Sequence, residues 1–405
     1  SKMDNSSAQA VQQQIIICDN GQSKIKVGYA GENIPRHEIP TVVGKPKLQT
    51  TKDHHPSFPP TPARENSNMN IICGYEALDQ RKTHDLTYPI STGQITDWDS
   101  MGYLYDDAFY NQLKLPSSSL DKNRIILSES PLTPTQHRNK IIETMFETYN
   151  FSHLNISLSP ILTLYAQGLL TGIVIDSGEG STTIVPVYES YVSPHLIKTI
   201  PVAGRAITNH LMKLLAFRGY NLDFETARYV KERSCYTAYD LERERTLVRE
   251  TTSTLEKVVL PDGKVVRIER ERFEAPECLF HPGVLGLEDA GLGKAVFSCV
   301  MEADIDCRLD YFKKIVLAGG STMFPGLPNR LEKEIRRHYL DLVLKGDANR
   351  MKKLKIGIED PPFRTHLVFL GASVLGNLMK EKDSFWMTKE YYEDVGAERA
   401  FSKCH

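Results

Sequence analysis

Apolar residues in this chain gather into short runs that end in glycine turns. Ile15-Ile16-Ile17-Cys18 leads into Asp19-Asn20-Gly21-Gln22-Ser23. Gly172-Ile173-Val174-Ile175 leads into Asp176-Ser177-Gly178-Glu179-Gly180, and Ile315-Val316-Leu317-Ala318 into Gly319-Gly320-Ser321. A β-branched run closed by turn residues predicts a buried strand, and Arg124 to Ser128 predicts another. Elsewhere the spacing turns helical. Ile141, Ile142, Met145 and Phe146 share one face of a helix over 134–149. Further helices are predicted over 161–170, 206–217, 223–239 and 328–339. Residues 15–31 read as a hairpin closing on Gly28 and Gly31, and 255–268 as one turning at Pro261-Asp262-Gly263. Strand–helix alternation in two similar halves predicts an α/β protein with a duplicated core.

The first two glycine turns carry the chemistry. Each follows an apolar strand and begins with an aspartate. Backbone N–H groups in such turns form anion-binding nests, and only small residues let the backbone come close. Two facing carboxylates suit a hydrated divalent cation that bridges phosphates, so the pair predicts a polyphosphate held between two lobes. One such turn alone is usually just a β-turn; two copies, each after a β-branched run, give the pattern its weight.

Composition narrows the class. A chain of 405 residues, 40% hydrophobic and 25% charged, can hold more than one core. A formal net charge of −2 gives no reason to expect nucleic acid. No apolar stretch reaches bilayer-spanning length. Residues 1–14 are polar and read as a disordered tail without a signal-peptide core. Residues 45–70, with five prolines, read as an exposed loop; its His54 and His55 lack the partners of a metal site. The seven scattered cysteines form no C-x-x-C pair and read as reduced thiols of an intracellular protein.

Longer stretches carry a resemblance. Asp19-Asn20-Gly21 is followed by Lys26 and Gly28-Tyr29-Ala30-Gly31, and Tyr88-Pro89-Ile90 by Asp97-Trp98-Asp99. Met145 to Tyr149 precedes Leu162-Thr163-Leu164-Tyr165-Ala166-Gln167-Gly168, and Gly319-Gly320-Ser321-Thr322-Met323-Phe324-Pro325-Gly326 comes later. In these, roughly over 15–395, the chain resembles the actin superfamily. Asp223 to Thr226, Arg272 to Glu277, Val343 to Asp347, Glu359 to Pro362 and Phe385 to Thr388 are similar to actin-related members rather than to actin itself.

The resemblance implies a two-lobed, ribonuclease H-like duplicated fold with ATP and Mg²⁺ in a central cleft. The small outer lobe would hold 15–166 and 367–405, and the large inner lobe 167–366. Asp19 and Asp176 would organise Mg²⁺ through waters. Asn20, Gly21, Gln22 and Ser23 would wrap the phosphates, with Lys26 as a point charge, and Ser177, Gly178, Glu179 and Gly180 would close from the other lobe. Gly204, Arg228, Lys231 and Glu232 would border the ribose and base on one side, and Gly320, Ser321, Met323 and Phe324 on the other. The resemblance also implies a cytoplasmic subunit of a seven-part assembly that nucleates branched actin filaments. Its partners would be a second actin-related protein, five scaffold subunits, actin and nucleation-promoting factors. An actin-like subunit of another assembly, such as a chromatin remodeller or a dynactin-like rod, stays open. A sugar or acetate kinase reading lacks support, because the sequence shows no second acid placed as a base for a sugar hydroxyl.

Several positions depart from the family pattern. Ser159 stands where a glutamine usually orients the attacking water, and Thr183 where a histidine usually relays its proton. Glu179 replaces an aspartate, Ser23 a glycine, Thr365 a lysine and Ala206 an aspartate. Phosphoryl transfer depends on an oriented nucleophile, so Ser159 and Thr183 imply binding with slow hydrolysis.

Overall fold

The structure, a computed structural model, describes residues 14–47 and 71–404. The expected tail over 1–13, positions 48–70 of the expected loop with His54 and His55, and His405 lie outside the described residues. Gln14 belongs to the fold, because its carbonyl accepts the Arg124 N–H at 3.0 Å. Lys45 and Pro46, expected in the loop, lie in a strand that pairs with His84–Thr87.

The four-residue apolar runs become central strands because both of their faces are covered. In the first half, β1 (Ile15–Asn20) pairs antiparallel with β2 (Lys24–Tyr29), which pairs with β3 (His37–Pro40). On its other side β1 runs parallel to β4 (Arg124–Glu129), and β4 parallel to β5 (His153–Leu158). Ile16, Ile17 and Cys18 are fully buried. The second half repeats the scheme. β6 (Gly172–Ser177) pairs antiparallel with β7 (Thr182–Tyr188) and parallel with β8 (Ile315–Ala318). In both sheets the central strand ends in an aspartate and a glycine turn. The turn of the first hairpin is Gly21 to Ser23. Gly28, expected to close it, lies within β2, where Phe369 leaves no room for a side chain.

Two helices stand between the halves. α1 (Ser159–Ala166) and α2 (Leu367–Leu378) pack closely on each other. Leu162 and Phe369 join Ile15, Ile17, Ile126 and Trp386 in one cluster; Leu164 and Leu367 join Val174, Val185 and Val316 in another. At their crossing a Cβ on Gly371 would overlap the Leu162 carbonyl. Backbone cannot step aside as a side chain can. Gly371→Leu is therefore expected at or above the upper end of the usual overpacking cost of about 1–3 kcal/mol. A lower urea midpoint at unchanged slope would register it.

The other predicted helices form with shifted ends. The one expected over 161–170 is α1; Pro160 suits its first turn, and it stops where Gly168 takes φ +66°. The Gly168 and Leu169 N–H groups cap the carbonyls of Tyr165 and Leu164. The one over 206–217 is α3 (Gly204–Ala216). The helix expected to reach 239 is α4 (Phe224–Ser234); beyond it the N–H of Tyr236 bonds Arg272 and that of Thr237 bonds Pro325, which draws the chain out of the helix. The 328–339 prediction corresponds to α5 (Leu327–Leu342), and the 255–268 hairpin forms between Glu256–Val259 and Val265–Ile268. Cys18, Cys73, Cys235, Cys278, Cys299 and Cys307 are free thiols. Among the described residues no helix is long and apolar enough to cross a membrane.

Candidate functional site

The turns after β1 and β6 face one cavity of ≈ 800 Å³. The first turn is held from behind. Asp19 Oδ2 accepts from Lys26 Nζ at 3.0 Å and Oδ1 from the Ser128 hydroxyl at 2.6 Å. The Asn20 N–H donates to the same hydroxyl at 3.3 Å. Thr41 donates its hydroxyl to Gly21 O at 2.7 Å and its N–H to Ser23 O at 3.0 Å.

The second turn is held just as fully. Gly178 O accepts the Gly204 N–H at 3.0 Å and the Ser321 hydroxyl at 2.7 Å, and Glu179 O accepts the Arg205 N–H at 2.8 Å. The third turn starts at Gly319, with φ +86°. A Cβ there would overlap the Ser177 carbonyl and lie 2.6 Å from Asp176 Oδ1. Glycine is required on both counts.

Of the predicted residues, Asp19, Asn20, Gly21, Gln22, Ser23 and Lys26 line the cavity from the first half. Asp176, Gly178, Glu179, Gly180, Arg228, Lys231, Glu232, Gly320, Ser321, Met323 and Phe324 line it from the second, and Ser159, Thr183 and Thr365 are there too. Ser177 and Gly204 do not line it. The Ser177 hydroxyl is buried against Thr182 at 2.7 Å. Gly204 lies behind the second turn, its carbonyl bonded by Lys231 Nζ at 3.0 Å, and a Cβ on it would sit 2.6 Å from Glu179 Oε2.

A match to the actin family covers residues 10–226 and 220–405. The chain belongs to the actin family. It is 45% identical over 386 residues to actin-related protein 2 of Oryza sativa subsp. japonica, which covers 94% of this chain and 96% of the relative. The corresponding protein of Oryza sativa subsp. indica is also 45% identical, and that of Arabidopsis thaliana 46%, over the same shares. The mixed sheets and helices described above are those of the two-lobed actin fold.

Charge is unevenly placed in this actin-family cleft. Burial first, and then the nearby negative charge of Asp19, push the Asp176 carboxyl up to about 6, with Lys26 opposing. Crowded carboxylates of this kind fit a divalent cation, which would relieve both terms; Mg²⁺ commonly takes one or two carboxylates and keeps several waters. Lys26 uses one of its three donors on Asp19, so two remain for an anion. Burial lowers the Lys231 ammonium in spite of Glu179 and Glu232. For Arg228, burial works downward, and the carboxylates of Glu179, Glu225 and Glu232 outweigh it.

The halves also touch at the rim. The Arg228 guanidinium donates to the Ser23 hydroxyl, Tyr88 OH to Glu225 Oε1 at 2.8 Å, and Arg81 Nε to Asp223 Oδ2 at 3.1 Å. The Arg205 guanidinium lies over both the Tyr88 and Phe224 rings.

Sequence reasoning missed Ser128, Thr41 and Thr182, which brace the turns. For Ser128 a signal existed: it ends a strand-like run, and a strand parallel to β1 brings its last polar residue to the same end as Asp19.

Proposed function

We propose that this chain binds Mg·ATP between its two glycine turns and serves as an actin-like subunit of the assembly that starts branches on actin filaments. The observation that carries this is the pair of turns, each led by an aspartate, facing one cavity in a chain 45% identical to actin-related protein 2 across nearly its whole length. The nucleotide would act as a clamp. It favours the closed arrangement by binding closed and open states unequally.

Asp19 and Asp176 would hold Mg²⁺ through waters. Asn20 to Ser23 and Ser177 to Gly180 would offer backbone amides, with Lys26 as the charge. Gly204, Arg228, Lys231 and Glu232 would border the sugar and base on one side, and Gly320, Ser321, Met323 and Phe324 on the other. The lobes would divide as 15–166 with 367–405, and 167–366. Ser159 and Thr183 offer only short hydroxyls, so hydrolysis would be slow while binding persists. The partners would be a second actin-related protein, five scaffold subunits, actin and nucleation-promoting factors, at the cytoplasmic actin cytoskeleton.

Affinity capture of the tagged chain from its own cells, with mass spectrometry, tests the assembly. A second actin-related protein with five smaller subunits is expected. Chromatin-remodelling or motor-complex subunits in their place would overturn it. Nucleotide binding is tested separately with a fluorescent ATP analogue. In that assay Ser23→Gly, which removes the acceptor for Arg228, is expected to raise the dissociation rate about 3–10-fold. An unchanged rate would mean that the rim contact does not hold the cleft closed.

A further inference from the structure

Gln22 enters the site through more than its backbone. Its side chain crosses from the first turn to the second, so that a Cβ on Gly180 would overlap Gln22 Oε1 and lie 2.8 Å from Cδ and 3.0 Å from Nε2. Gly180 does not take a positive φ; its missing side chain leaves the space that the Gln22 carboxamide occupies. Gln22 Oε1 is buried and has no hydrogen-bond partner. A buried acceptor without a donor is unfavourable, and a ligand O–H or N–H would satisfy it.

The two positions where the family pattern places hydrolytic groups reach less far into the same cavity, whose wall also holds the Glu179 carboxylate with its own unpartnered Oε1. These are Ser159 and Thr183, whose hydroxyls sit on short stems. A carboxamide carries an acceptor and a donor on one planar group, and a half-turn exchanges them. It can accept from a water while donating to a phosphate oxygen, which is how glutamine positions water in other nucleotide hydrolases.

We infer that the Gln22 carboxamide, lying between the two glycine turns, is the positioning residue for the attacking water in this cleft. The inference rests on the nucleotide reading above. In the step it serves, the water oxygen forms a bond to the terminal phosphorus. The bond from that phosphorus to the bridging oxygen breaks, and its electron pair leaves on ADP. One water proton stays on the released phosphate and the other goes to solvent. Gln22 takes no proton, because an amide is too weak a base; it only orients the water. Turnover stays slow because the Thr183 hydroxyl is a poor proton acceptor near neutral pH, and what turnover exists depends on Gln22.

The test uses the full chain with Gln22→Met, which keeps the volume without the polar atoms, and Gln22→Ala as a second probe. Binding of ADP, of ADP with beryllium fluoride (a ground-state mimic) and of ADP with aluminium fluoride (a mimic of the attack geometry) is measured alongside single-turnover hydrolysis of labelled ATP. Both variants are expected to lose at least tenfold in hydrolysis rate and in aluminium fluoride affinity. Affinity for ADP and for the beryllium fluoride complex should change less than threefold. Adding Ser159→Gln to Gln22→Met should restore most of the rate. Unchanged rate and unchanged aluminium fluoride affinity would overturn the assignment. An equal loss across all three complexes would overturn it too, since it would make Gln22 a prop for the turn. If the unmodified chain binds none of these nucleotides, the nucleotide reading fails first and this inference with it.

Discussion

Asp176→Asn is expected to stabilise the metal-free, nucleotide-free protein at pH 7.5 by about 1–3 kcal/mol and to cost roughly 100-fold or more in Mg·ATP affinity. The carboxyl is held up to about 6, above its ordinary value near 3.8, by burial and by Asp19. A carboxyl raised on folding keeps its proton in the native state while the unfolded chain has released it. Stability is therefore lost as pH rises from about 4 to about 6, and the deficit stays constant above that. Asparagine removes the deficit, so the gain should be full at pH 7.5 and roughly halved at pH 5. Thermal melts of both proteins at the two pH values measure the first effect, and titration with a fluorescent ATP analogue in Mg²⁺ the second. A variant that is less stable than the parent at pH 7.5 would sink the reading of Asp176 as a strained anion awaiting a cation.

Arg330→Met should cost about 3–5 kcal/mol, the largest stability loss expected from a single change here. Arg330, on α5, is almost fully buried. Its Nε donates to Glu334 Oε1 at 2.8 Å, Nη2 to Glu277 Oε1 at 2.9 Å and Nη1 to Ala238 O at 2.7 Å, while the guanidinium lies over Phe280. Removing it strands two buried carboxylates, with Arg337 still paired to Glu334 and His281 beside Glu277. Replacing all three members (Arg330→Met, Glu277→Leu, Glu334→Leu) should recover most of the loss, because desolvation of the charges disappears with them. Urea unfolding of the single and triple variants is the measurement. A single-variant loss below about 1 kcal/mol would show that the network is solvated and structurally idle.

What was legible in the sequence was whatever a short stretch fixes by itself. Ile15 to Cys18, Gly172 to Ile175 and Ile315 to Ala318 are buried on both faces, and continuous apolar runs announce that locally. Their glycine turns and the aspartates of the first two followed from the same few residues. The braces were not legible, because they come from far away. Ser128 meets Asp19 only through the parallel β1–β4 pairing, across 109 positions of sequence. Likewise α4 ends at Ser234 because carbonyls of Arg272 and Pro325 claim the next amides. Gln22 was read for its N–H alone; where its side chain goes depends on the gap at Gly180, on the other half of the chain.

The cluster beneath the first sheet sets a problem of timing. Ile15, Ile17 and Ile126 are covered by Phe369 and Trp386, and the edge strand Met387–Thr388 pairs with β5. During synthesis the first three leave the ribosome more than 200 residues before their cover. At about 5–20 residues per second, that apolar face waits on the order of 10–50 s. The first half cannot finish folding as it emerges, so a newborn chain depends on being sheltered until α2 and Trp386 arrive.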